Sequence, residues 1–217
     1  MPRNHAVVLA SALVGAAGAC AGTIVQVDVM GVVDFNVIQG NQAGIPSGSP
    51  VMMSFQVSSS HFVNSPNFPT RGYEVDLTSF TLTVGGAPIT IDNPQPFGPA
   101  YFVIRNNDPV VDGFFLSRNI DFPMPVGVHI PGLAPAHDLD FGVTYNSGAT
   151  IPSLDILDAV GTYDLTGLSV YNWTVGRFGN AGAEYAFQRM TISVIPAPAG
   201  AGVVAMAGLM GLRRRRG

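Results

Sequence analysis

The sequence predicts an all-β fold: an antiparallel two-sheet sandwich, jelly-roll-like, flanked by an N-terminal signal helix and a C-terminal hydrophobic helix. Three observations carry that prediction. Several stretches alternate apolar and polar residues with a period of two, the pattern of strands buried on one face. Clusters of Pro, Gly and Asn separate those stretches at short intervals. No amphipathic pattern three helical turns long interrupts residues 22–194.

Taken in order, residues 1–21 read as a secretory signal peptide. Arg3 supplies a positive start, and His5 to Ala19 is small and apolar. Ala19-Cys20-Ala21 fits the small-x-small rule for cleavage by signal peptidase. The cut is expected after Ala21, which makes Gly22 the new N-terminus. A lipoprotein reading, with Cys20 as the lipidated residue, ranks second: Ala17-Gly18-Ala19 lacks the large aliphatic residue usual three positions before such a cysteine. Cys20 is the sole cysteine. A body cut after Ala21 therefore has no disulfide, although its destination is oxidising, and is held by its core alone.

The body, residues 22–194, is long enough for one domain with a sizeable core. Val25, Val27 and Val29 alternate with Gln26 and Asp28. Phe80, Leu82 and Val84 alternate with Ser79, Thr81 and Thr83. Leu139, Phe141, Val143 and Tyr145 alternate with Asp140, Gly142 and Thr144, and Met190, Ile192 and Val194 with Arg189, Thr191 and Ser193. Gly85-Gly86 followed by Ile89-Thr90-Ile91 marks a hairpin, because glycine accepts the positive φ a tight turn requires. Further strands are expected at 51–58, 100–105, 112–117 and 167–175. Residues 153–160, with Leu154, Ile156 and Leu157, are open between a short helix and a strand.

Charge divides by region. All ten basic residues are arginine, and Arg3 and Arg213 to Arg216 lie in the terminal segments. The body keeps five arginines against fourteen carboxylates, a formal charge of −9. That excludes a nucleic-acid partner, whose phosphates need a basic surface, and favours a surface that concentrates cations.

Most reaction classes lack their residues. There is no lysine for a phosphate-binding loop or a Schiff base, and no H-E-x-x-H, G-x-S-x-G or G-x-G-x-x-G motif. His5, His61, His129 and His137 do not fall into a metal-ligand spacing. Glu74-Val75-Asp76 places two carboxylates on one face of a strand, and resembles the E-x-D-x-x-E signature of some sandwich-fold glycoside hydrolases. Ser79 stands where the final Glu would be, so the polar side of a half-buried strand is the favoured reading and no catalytic residue is assigned. Tyr171 and Trp173, two apart, are weighed as a sugar platform against a place in the core. Asn106 to Gly113 offers hard oxygen ligands for calcium through Asp108 and Asp112, completed by backbone carbonyls or Asp92. The same residue types also build a plain turn.

The last stretch is a sorting address. Ile195-Pro196-Ala197-Pro198 precedes an apolar run from Ala199 to Leu212, then Arg213-Arg214-Arg215-Arg216. As a helix the run would reach about 21 Å, short of a hydrocarbon core of about 30 Å. It suits transient insertion, with the arginines held on the cytoplasmic side. This tail resembles the PEP-CTERM sorting signal of Gram-negative bacteria, with Pro196 and Pro198 matching and Ala197 in place of the acidic residue. The resemblance covers residues 195–217. It implies export, a transient membrane anchor, cleavage near the motif by an exosortase-type enzyme, and delivery to the cell surface or an exopolysaccharide matrix. The reading as a whole is an exported, non-enzymatic surface or matrix protein. The alternative is an extracellular carbohydrate-binding or carbohydrate-active protein.

Overall fold

The computed structural model describes residues 22–196, apart from 135, 178 and 179. The strands are β1 (Ile24–Asn36), β2 (Pro50–Asn64), β3 (Thr70–Val84), β4 (Ala87–Ile91), β5 (Tyr101–Arg105), β6 (Asp112–Ser117), β7 (Val126–His129), β8 (His137–Tyr145), β9 (Gly161–Tyr163), β10 (Leu168–Arg177) and β11 (Asn180–Val194). A three-residue 3-10 turn, Gly40–Gln42, follows β1. The chain is all-β as expected, and the period-two stretches fall on β1, β3, β8 and β11.

The sandwich is corrected to a closed antiparallel barrel. Strands run β10-β11-β1-β2-β3-β4-β7-β8 around the wall, and β8 pairs with β10 to close a ring of eight. Closure is carried by Tyr171↔Val143, Trp173↔Phe141 and Val175↔Leu139. A sandwich would leave sheet edges unpaired, and closure removes them. The wall between β3 and β8 is built twice. Leu82 to Val84 and Val126 to Val128 carry it through β4 and β7, while Thr70 to Glu74 and Phe114 to Leu116 carry it through the β5–β6 hairpin. Alternation reports only that one face is buried, and a sandwich and a barrel bury one face alike. Among the described residues there is no α-helix. The two flanking helices, expected within 1–21 and over 199–212, lie outside the described residues.

Eight strands enclose a space that side chains can fill, and here they do. Phe80, Phe55, Phe102, Phe114, Tyr163 and Tyr145 form a continuous run of rings with centroids 4.7–6.1 Å apart. Phe187, Phe141, Trp173 and Tyr185 form a second run, 5.5–6.4 Å apart. Outward positions such as Gln26, Asp28, Ser54 and Gln56 are polar and only partly covered. Asp28 accepts from Ser54 Oγ at 2.6 Å and Gln26 Nε2 at 3.2 Å. A lipid-spanning barrel carries the reverse arrangement, an outward apolar band around a polar interior. No helix among the described residues is long and apolar enough to cross a membrane.

The hairpin expected at Gly85-Gly86 is present, with φ of 56° and 85° and Val84 paired with Ala87. Residues 153–160 form neither a strand nor a regular helix. They make one turn in which the amide of Ala159 donates to Asp155 O, at 3.2 Å. Ile156 and Ala159 from that turn enter the core. β7 and β9 have no counterpart in the sequence reading. Each is four residues or fewer, too short to display a period.

Candidate functional site

The β2–β3 pair contains an unusual register. Val51↔Val84 through Ser54↔Thr81 sets one pairing, Gln56↔Asp76 and Val57↔Val75 are slid by three residues, and Phe62↔Tyr73 onward returns to the first. The slack is taken up by bulges, residues 77–80 on β3 and 58–61 on β2. A shift of three is odd, so it exchanges the two faces of the strand. Val75 and Phe80 both point inward because of it. Ser79 splints the β3 bulge: its hydroxyl donates to Asp76 O at 2.6 Å and accepts from the amide of Gln56 at 2.8 Å. At Ser79, where the glycosidase-like signature would require a carboxylate, stands a structural hydroxyl.

The bulges open a groove of about 760 Å³ on the outer wall. Val57 and Val75, both buried, are part of its lining. Gln56, Ser58, Ser60 and His61 of β2 and Glu74 and Asp76 of β3 line it, joined by Gly22 and by Ile24 at the start of β1. Asp76 Oδ1 accepts from the amide and hydroxyl of Thr78, at 2.9 and 2.7 Å. A second hollow of about 380 Å³ shares Ser60, His61 and Glu74 and adds Phe62, Val63 and Tyr101. Glu74 and His61 thus stand between two depressions. Partial burial raises the Tyr101 phenol above its ordinary pKa, and the Glu74 charge adds to the rise. The structure therefore brings Glu74 and Asp76 into one groove, as their spacing on a strand requires. Among the described residues no third carboxylate lines it, so the last acid of the E-x-D-x-x-E signature has no counterpart there.

The other candidate residues separate. Trp173 is 1% exposed and Tyr171 43% exposed, so the two rings form no shared platform. Trp173 belongs to the core, as the sole tryptophan of such a domain usually does. Asp112 is fully buried, and its carboxylate accepts from the amides of Asn107 and Ile151, both at 2.8 Å. It ties the 106–111 and 146–151 turns to β6. The amide of Asp108 closes the same turn on Val111 O at 3.0 Å. Among the described residues no group of three or more His, Cys, Asp or Glu side chains could hold a metal ion. The geometry at Asp108 and Asp112 is that of a stapled turn. His137, at the head of β8, is buried. Of the sorting motif Pro196 falls within the described residues. Ala197, Pro198, Arg213 to Arg216, Ala19 and Ala21 lie outside them.

What the sequence reading missed is the groove itself. The run Ser58-Ser59-Ser60-His61, polar where a strand should alternate, was the available signal. Comparisons with family models, with curated proteins and with solved structures return no match.

Proposed function

We propose that this chain is an exported, non-enzymatic protein of the cell surface or extracellular matrix, its barrel delivered by the C-terminal tail. The supporting observation is where the fold meets the expected processing points. β1 opens at Ile24, just beyond Ala21, and β11 ends at Val194, just before Ile195-Pro196. The two strands are paired, Val25 opposite Val194, and the amide of Ile195 donates to Ile24 O at 2.9 Å. The chain enters and leaves the barrel at one pole. Removal of either terminal segment at those points cuts no strand, and a tether at one pole leaves the other end of the barrel free. The −9 body charge and polar outer face suit a hydrated matrix.

Carbohydrate binding is the second reading. The Glu74–Asp76 groove, polar at its rim and open to solvent, favours it over carbohydrate hydrolysis, since Ser79 replaces the last acid of the E-x-D-x-x-E signature.

Mass spectrometry of the native protein tests the proposal. Export and sorting predict an N-terminus at Gly22 and a C-terminus near Pro196 to Ala199. Deleting Arg213 to Arg216 should leave the tail uncut or redirect the protein. An intact arginine tail on most of the extracellular protein would overturn it.

A further inference from the structure

We infer that the Glu74–Asp76 groove is the seat of the protein's own processed N-terminus, whose ammonium group it holds. The inference rests on the proposed cut after Ala21. Gly22 lines the same groove as Glu74 and Asp76. It is fitted closely: a Cβ there would lie 2.2 Å from Ser60 Oγ and 2.5 Å from Ser58 Oγ, so a side chain at this position displaces the β2 bulge. The next residue is anchored on both sides, with the Thr23 amide donating to Ser59 Oγ at 3.0 Å and the Ser59 amide to Thr23 O at 2.9 Å. The first residue of the processed chain is thereby set against the groove wall. Among the described residues no arginine lines the groove, and the chain has no lysine. The groups facing it are Glu74 and Asp76 on β3 and His61 on β2, with Tyr101 of β5 beyond Glu74. The charge that Glu74 and Asp76 lack is the one that cleavage creates. An ammonium among carboxylates gains from their field and from hydrogen bonds to Ser58 and Ser60. The groove is then completed by maturation.

The absence of lysine makes the test specific, because an amine acylating reagent has only the α-amine to modify. The exported protein is isolated, its N-terminus read by mass spectrometry, and its acetylation rate followed from pH 7 to 9. A seated ammonium should react about 3- to 10-fold more slowly at pH 8 than an unstructured Gly-Thr-Ile peptide, because pairing holds its pKa above the usual α-amine range of about 7.7–8.0. The Glu74→Gln, Asp76→Asn double variant should return to the peptide's rate, and acetylation should lower the Tm of the wild type but not of the variant. Both side chains are exposed, and circular dichroism checks that the variant stays folded. A wild-type rate equal to the peptide's overturns the inference. A different native N-terminus overturns the cleavage site instead. In that case a chain whose residues 1–21 are replaced by a leader cut by a site-specific protease, leaving Gly22 first, carries the same measurement.

Discussion

Asp112 illustrates how a carboxylate in a turn-rich sequence is committed by burial. With no exposed surface, it serves as the acceptor for two amides that would otherwise be unpaired. Asp112→Ala is expected to cost about 2–4 kcal/mol, from one buried and one part-buried donor left without partners, read as a lower urea midpoint. Millimolar calcium should leave the Tm unchanged. Tyr73 plays the matching role across the barrel wall: its hydroxyl donates to Leu154 O at 2.8 Å and accepts from the Ile156 amide at 2.9 Å. Asp140 shows the opposite energetic sign. Burial raises its carboxyl above the ordinary range, the Asn172 amide opposes the rise through a 2.6 Å bond, and the Asp138 charge adds to it. A carboxyl with a raised folded pKa takes up a proton on folding. Its contribution therefore favours the folded state in acid and declines as pH rises from about 4 through the folded value. Asp140→Asn should remove that decline, so the variant gains on the wild type at pH 7 relative to pH 4. Equal differences at both values would show that Asp140 titrates normally.

At the scale of the element, bulges do the work that side-chain patterning cannot. On β11, Gln188 is the extra residue, since Met30 pairs with Arg189 and Gly31 with Phe187. Phe187 and Met190 both face inward in consequence. Gly31 lies against this bulge, where a Cβ would come 2.4 Å from Ala186 O and 2.7 Å from Trp173. Backbone cannot yield as a flexible side chain can, so Gly31→Ala should destabilise by about 1–3 kcal/mol, with a change in Trp173 fluorescence. The paired bulges of β2 and β3 depend on Ser79 in the same way. Ser79→Ala should cost about 1–2 kcal/mol and loosen the groove wall, seen as faster amide exchange at Gln56.

Across the whole molecule, closure joins residues far apart in sequence, and the β1–β11 pairing sets Val25 opposite Val194. The mainly β circular dichroism spectrum expected for residues 22–194 should be accompanied by cooperative loss of both aromatic runs, because the ring of strands encloses them in one core. Phe114→Ala, at the centre of the longer run, should cost about 3–5 kcal/mol, measured by denaturant unfolding. The shared pole also places the start of the first strand beside the end of the last, through their antiparallel pairing.

Strand identity was legible wherever a residue pattern was long enough to show its period. Valines at 25, 27 and 29, and the run from Leu139 to Tyr145, declare their buried faces locally. The Gly85-Gly86 hairpin was legible because positive φ is a property of the residue itself. The Glu74–Asp76 pairing on one face followed from strand geometry. The proposed sorting address likewise rests on sequence alone. The tertiary structure decided the closure of the sheet, because hydrogen bonds between β8 and β10 are formed by backbone atoms common to every residue and leave no mark on composition. It decided the groove, since the three-residue slide arises from two strands accommodating each other's bulges. It also decided that Asp112 is a staple and Trp173 a core ring, because burial is fixed by the elements packed around a residue.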